Sequence, residues 1–398
     1  MKTRWGIVIL AIGAGIVAGV QVGKVPPLIN LLRAEMALSL VGAGWLASLF
    51  NLTGAIFGIA GGALTDRLGA RRVLLAGLAG LAVTGVVGAL ATSAGWLLGA
   101  RILESVAFLA CVVSAPRLIA AATAPRHRDF ALGAWGTYMP AGIALAMLTA
   151  PWIADGAGWR GVWLAAAALA AVCLLPAGYL TAPRRWPAVP MAGTGLRLRD
   201  LLTALTRPAP LLLGGCFTLY AIQFFAVTAW LPSYLVEVLG LSPGQAGPAT
   251  ALVVAGNAVG GLLTALLLHR GARRWLLIGS AFVLMMACAT GIFAEAVAVE
   301  WKLPLAFLFN FCGGLLPGSV LAAAAAHAPS PGMLGSFNGV VVQSANIGSL
   351  IGPPAMALAI GPAGAWSDSH GLILACGGLG LCLALLLGLV ERKPPAPS

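Results

Sequence analysis

Charge is what this sequence has least of. Only 9% of its 398 residues are Asp, Glu, Lys or Arg, against 60% hydrophobic residues and a mean hydropathy of +0.98, which is too little polar surface to coat a water-soluble globule of this length. Lipid must be its main solvent. Acids are scarcer than bases, 11 against 23, and the formal net charge is +12. The bases fall in short clusters between apolar runs rather than along one face, which is the pattern of membrane insertion and argues against a nucleic-acid partner. The seven cysteines, Cys111, Cys173, Cys216, Cys288, Cys312, Cys376 and Cys382, sit inside apolar runs with no Cys-x-x-Cys pair, so neither a metal site nor a disulfide framework is suggested. His127, His269, His327 and His370 fall at span ends. There is no His-Glu-x-x-His and no Gly-x-x-x-x-Gly-Lys-Ser/Thr, so a zinc-dependent membrane enzyme and a nucleotide-driven pump lose their usual signatures, and no cofactor is expected.

Long hydrophobic runs are what the sequence has in abundance. Lys2 and Arg4 precede an apolar run from Trp5 to Leu31, too long for a signal-peptide core and lacking a small-residue cleavage site before Lys24, so it reads as an uncleaved first span with its N-terminus inside. Windows of about 20 apolar residues recur near 39–65, 73–93, 95–122, 130–153, 160–181, 209–236, 244–268, 274–296, 301–325, 332–361 and 368–390. The expectation is an all-α integral membrane protein of twelve spans. Charge tests that topology, because the loops placed inside carry Arg67, Arg71, Arg72, Arg126, Arg128, Arg184, Arg185, Arg197, Arg199, Arg207, Arg270, Arg273 and Arg274. The opposite loops hold only Arg33, Arg160 and Lys302 as bases, with Glu35, Asp155, Glu237, Glu295, Glu300 and Asp368, the asymmetry that sets orientation.

One long Arg- and Pro-rich connection divides the chain into a six-helix bundle at 1–182, a linker at 183–207 and a second bundle at 208–398. The halves repeat weakly. Leu38-Ser39 through Gly44 matches Leu241-Ser242 through Gly247, and Gly54, Gly58 and Gly69-Ala70-Arg71-Arg72 match Gly256, Gly260 and Gly271-Ala272-Arg273-Arg274. Six spans per half make the repeats parallel.

Between the second and third spans, Gly62, Asp66, Arg67, Gly69, Arg71 and Arg72 form a Gly-x-x-x-Asp-Arg-x-Gly run followed by two bases. This resembles the signature loop of the major facilitator superfamily. Gly23-Lys24-Val25-Pro26-Pro27 and Gly158-Trp159-Arg160 loosely resemble the bacterial cyanate/nitroimidazole permease group. The Gly-x-x-x-Gly-Pro pattern of many drug exporters is incomplete in the fifth span, where Met139 precedes Pro140, and occurs instead at Gly348, Gly352 and Pro353 in the eleventh. The resemblance implies a monomeric permease of the bacterial inner membrane, both termini cytoplasmic, with a small-molecule substrate and protons as a coupling ion. It also implies that Asp66 latches the two halves by capping span eleven near Gly332, with Arg67 and Arg71 holding it and Gly62 and Gly69 giving close approach and a tight turn.

Of the ionisable residues within spans, three stand out: Lys24, Arg101 and Glu104. Each cation costs roughly 2.5 to 3.5 kcal/mol at a helix centre unless compensated. Counting from span midpoints at about 1.5 Å per residue puts Lys24 and Arg101 at similar depth. Glu104, three residues after Arg101, shares its helical face and can pair with it; otherwise Lys24 snorkels, or its partner is Glu104 or an anionic ligand. An Arg in the fourth span is, by the resemblance, linked to proton coupling. Gln21, Tyr220, Gln223, Asn257, Asn310 and Asn346 are the neutral polar groups near mid-span, and the resemblance places Gln21, Tyr220, Gln223 and Asn310 on cavity-lining helices. The expected function is alternating-access transport of a small organic or inorganic anion at Lys24, Arg101, Gln21, Tyr220, Gln223 and Asn310, with Glu104 and Arg101 in coupling. Proton-driven efflux of drug-like amphiphiles and a non-transporting sensor stay open.

Overall fold

The computed structural model describes residues 2–182, 206–327, 334–361 and 364–392. Serines start three of its membrane helices. Ser39 accepts the Gly42 N–H at 3.0 Å and Ser93 that of Trp96 at 3.3 Å, each satisfying a donor that the first helical turn leaves without a partner. At the repeat-matched Ser242 the reciprocal half of a capping box is present, the Gln245 carboxamide oxygen accepting the Ser242 N–H at 3.1 Å.

Span 1 comprises Trp5–Gly23, a 3-10 turn at Pro26–Leu28 and Ile29–Met36. Span 2 likewise breaks, as Leu40–Ser48, a 3-10 turn at Leu49–Asn51 and Leu52–Leu68. Spans 3 and 4 are Ala70–Ala89 and Ala94–Ala122. Spans 5 and 6 follow the short helix Pro125–Trp135 and share the helix Tyr138–Leu180, divided at Gly158, whose φ of 63° no helix tolerates. Spans 7, 8 and 9 are Pro208–Glu237, Pro243–His269 and Arg274–Phe293. Span 10 combines Val299–Gly313 and Leu315–His327, and spans 11 and 12 are Leu334–Ile360 and Ser369–Arg392. Ten stretches of the described residues are long and apolar enough to cross a membrane. One of them, Pro125–Leu180, holds two crossings, and Leu334–Ile360 supplies the remaining span, which makes twelve.

The sequence repeat has a backbone counterpart. Gly69 and Gly271, matched in the two halves, both leave their spans at positive φ, 86° and 83°, a conformation costly for any residue with a Cβ. The glycines of span 8 bring it close to span 10: a Cβ added at Gly260 would lie 1.9 Å from the Phe311 carbonyl oxygen. Lipid offers no hydrophobic force between helices, so such close approach is what holds them. Gly260→Ala is expected to push spans 8 and 10 apart and cost about 1–3 kcal/mol, read as a lower unfolding temperature in detergent; an unchanged midpoint would show that the contact relaxes freely.

Contacts resolve the chain into two units, Met1–Gly195 with Leu231–Ala251, and Leu196–Trp230 with Leu252–Ser398. Within the first unit, Leu231–Ala251 packs against earlier parts of the chain. Ser233 Oγ donates to Asn30 Oδ1 at 3.2 Å. Gly247 lies so close to the Met147 carbonyl oxygen that a Cβ there would be 2.4 Å away. Most of the 183–207 linker lies outside the described residues.

Candidate substrate and coupling site

The first unit carries a buried charge cluster whose position follows from the break in span 1. Helix Trp5–Gly23 ends just before Lys24, whose N–H still bonds the Val20 carbonyl at 3.0 Å, and Pro26 and Pro27 supply no N–H to continue the ladder. Lys24 therefore stands at a helix end inside the bundle. It does not reach the surface: Lys24 and Arg101 are 0% exposed and Glu104 1%.

Lys24 Nζ donates to Glu104 Oε1 at 2.8 Å and to Gln21 Oε1 at 2.6 Å, and it lies 4.7 Å from the centre of the Trp163 ring. Arg101 Nη1 donates to Glu104 Oε2 at 2.8 Å and to the Gln21 carbonyl at 3.0 Å, while its Nε donates to the Leu46 carbonyl at 3.1 Å. Gln21 is itself held by its amide donating to the Ala166 carbonyl at 3.3 Å. One carboxylate thus serves two cations, one per oxygen. Burial costs several kcal/mol per ion, and only such close, fully hydrogen-bonded geometry offsets it. Two cations and one anion leave the cluster with one net positive charge. Arg101 Nη2 is buried and makes no hydrogen bond among the described residues, so the guanidinium still has a donor to offer.

Span 6 connects this cluster to an exposed pair. Trp163 meets Trp159 edge to face at 5.4 Å and 88°, and Trp159 Nε1 donates to Glu35 Oε2 at 2.8 Å. Arg160 Nη1 lies 3.7 Å from the same oxygen, with both side chains nearly half exposed. The Gly158-Trp159-Arg160 motif is the start of this path; Trp163, one turn further on the same face, is the residue that reading the sequence missed. Phe50, whose ring lies 5.7 Å from the Arg101 guanidinium carbon, was missed as well, since an aromatic residue in an apolar run carries no distinguishing signal.

The second unit holds a neutral cluster. Asn257 Nδ2 donates to the Tyr220 hydroxyl at 2.9 Å and to the Asn310 carbonyl at 3.1 Å, tying spans 7, 8 and 10 together. Gln223 and Asn310 are each fully buried and use their amide N–H on their own helices, to Leu219 at 3.2 Å and Ala306 at 3.3 Å. Asn257, expected as one mid-span polar group among several, is the bridge of this cluster.

At the junction of spans 2 and 3, where Gly69 alone lies outside a helix, Arg67 and Arg72 are exposed and Arg71 Nη2 donates to the Gly178 carbonyl at 3.5 Å. Gly62 lies in the helix of span 2, while the Asp66 side chain and residues 328–333 lie outside what the structure describes, and with them the expected latch.

A family model described as Major Facilitator Superfamily matches residues 9–353. The chain is 27% identical over 363 residues to the probable nitrate/nitrite transporter NarK2 of Mycobacterium tuberculosis, covering 84% of each chain. It is 27% identical over 260 residues to the 3-(3-hydroxy-phenyl)propionate transporter of Escherichia coli, covering 64% of this chain and 60% of that protein. Relatives named for drug resistance or efflux are matched over less of their own length, 37% of one and 24% of another. The chain thus spans less than two thirds of several curated relatives that it matches. Among solved structures, a bacterial homolog of the human lysosomal transporter Spinster superposes over 100% of both chains with a TM-score of 0.79 at 16% identity, a likeness of fold. The chain is a multi-pass membrane protein of a transport family, not an enzyme, and it belongs to the major facilitator superfamily.

Proposed function

We propose that the protein is a secondary transporter that carries a small organic or inorganic anion by alternating access, with protons as the coupling ion. The observation that carries this reading is the buried Lys24–Glu104–Arg101 cluster, which keeps one net positive charge and an unengaged guanidinium N–H. A buried net charge is costly without a counter-charge, and an anion arriving at Arg101 Nη2 would supply one. The names of two relatives, for nitrate/nitrite and for 3-(3-hydroxy-phenyl)propionate, support an anionic substrate. In this reading the residues proposed for substrate binding are Lys24, Arg101, Gln21, Tyr220, Gln223 and Asn310. Glu104 and Arg101 couple transport to protons, and Asp66 with Arg67, Arg71, Arg72, Gly62 and Gly69 gates it. The protein works as a monomer in a bacterial inner membrane with cytoplasmic termini. Efflux of drug-like amphiphiles is the second reading, favoured by the relatives named for resistance.

A thermal-shift screen of purified protein against organic anions, nitrate and cationic drugs, followed by flux in proteoliposomes, separates the two readings. Within it, Lys24→Gln removes the excess charge, whereas Lys24→Arg keeps it. Losing a charge-assisted interaction of about 1.5–3 kcal/mol is expected to weaken anion binding by roughly tenfold or more in Lys24→Gln, with Lys24→Arg weakened less. Unchanged affinity in Lys24→Gln would remove the ammonium from substrate attraction.

A further inference from the structure

Two buried acceptors in the second unit have no donor. Gln223 Oε1 and Asn310 Oδ1 are shielded from solvent and make no hydrogen bond among the described residues, although the nitrogen of each amide is engaged with a carbonyl one turn back on its own helix. That engagement fixes which end of the amide faces away from the helix, because turning it over would set oxygen against oxygen. Buried amide oxygens in native proteins are ordinarily partnered, and each one left bare costs free energy. Both belong to the neighbourhood of Tyr220. Gln223 is three residues beyond it on span 7, on the same helical face, and Asn310 is joined to it through Asn257. The Tyr220 oxygen accepts from Asn257, which leaves its own proton to donate. Phe217 and Phe224 flank Tyr220, with ring centres 6.0 and 5.8 Å away.

This cluster offers two acceptors, one hydroxyl donor and an aromatic surround. A bare oxyanion such as nitrate has only acceptors and satisfies neither amide oxygen. A hydroxyl group partners one of the two amide oxygens with its single proton while accepting from Tyr220, and an aromatic ring carrying it would lie against the rings of Phe217, Tyr220 and Phe224. We infer that the substrate is a hydroxylated aromatic carboxylate, whose hydroxyl donates to the amide oxygen of Gln223 or Asn310 and accepts from Tyr220, with Asn257 as the positioning residue that fixes Tyr220 against span 10. The inference rests on the anion-transport reading and narrows it to one chemical class. Specificity of this kind is strong, because a site built to hydrogen-bond a hydroxyl is left with unpaired buried groups by an analogue that lacks it.

The test is binding of four probes to the full-length protein in detergent, by thermal shift and by inhibition of counterflow in proteoliposomes: 3-(3-hydroxyphenyl)propionate, 3-phenylpropionate, the methyl ether of the first, and nitrate. The hydroxylated acid is expected to bind at least about tenfold more tightly than the other three. The ether matters most, since it keeps size and the acceptor but has no proton. Gln223→Met or Asn310→Leu, whichever removes the acceptor that the hydroxyl uses, is expected to shrink the ratio between hydroxylated acid and ether. Equal affinity of hydroxylated acid and ether in the unaltered protein would overturn the inference without recourse to any variant, and so would full discrimination retained in both variants. If none of the carboxylates or nitrate binds, the anion reading falls and this inference with it, a result distinct from anions binding without regard to the hydroxyl.

Discussion

Glu104→Gln is expected to lower the stability of the protein by about 3–5 kcal/mol, the usual cost of removing one partner from a buried ion pair, and to abolish proton-driven accumulation. The carboxylate sits 2.8 Å from both Lys24 Nζ and Arg101 Nη1, so its neutralisation leaves two buried cations facing an amide that can accept from only one of them well. Thermal unfolding in detergent reads the first effect. The second follows if Glu104 is the group that exchanges its cations for a proton during the cycle, since Gln cannot ionise. Counterflow exchange, which needs binding and conformational change but no net proton movement, is expected to persist. A double change, Lys24→Met with Glu104→Gln, removes one of the stranded cations, and its destabilisation should be less than that of Glu104→Gln alone; such non-additivity is the mark of a direct pair. Full accumulation by Glu104→Gln would leave Glu104 as a structural ion-pair partner and nothing more.

Arg101→Lys conserves charge and is nonetheless expected to reduce flux at least about tenfold. The guanidinium reaches the Leu46 carbonyl through Nε, and the Gln21 carbonyl and Glu104 through Nη1, a fork that a single ammonium on a flexible stem does not reproduce. A buried carbonyl that loses its donor costs about 1–3 kcal/mol. The Leu46 contact joins span 4 to span 2 just before its 3-10 turn, and the Gln21 contact joins it to span 1 just before Lys24, so the loss loosens three helices together. Initial rates of substrate exchange at matched protein amounts measure the effect. Wild-type rates in Arg101→Lys would show that only the charge is needed and that the fork geometry is incidental.

The span count and the Arg101–Glu104 pair were legible because each depends on local chemistry: hydrophobic runs of membrane length, and two residues three apart on one helix face. The repeat was legible for the same reason, Gly69 and Gly271 lying in similar short strings that both end a helix at positive φ. Lys24 was harder. Its sequence neighbourhood contains no acid, so only the crossing of spans 1 and 4 brings it to Glu104, 80 residues away. That Gln21 accepts from the same ammonium, and that Trp163 lies beneath it, depends on how spans 1 and 6 rotate about their axes. Helices that are apolar all round give no clue to that rotation, because hydropathy distinguishes no face. The same blindness hid Asn257, one polar residue among several until Tyr220 and Asn310 are seen on either side of it. The contacts of Ser233 with Asn30 and of Gly247 with Met147 were illegible too, since they join segments about a hundred or more residues apart.

That last feature bears on how the protein is made. Chains are synthesised from the N-terminus at about 5–20 residues per second, and bundles ordinarily complete themselves as they emerge. Here the first six spans are finished and inserted well before Leu231–Ala251 leaves the ribosome, so the seats for Ser233 at Asn30 and for Gly247 at Met147 wait, on the order of seconds, for later chain.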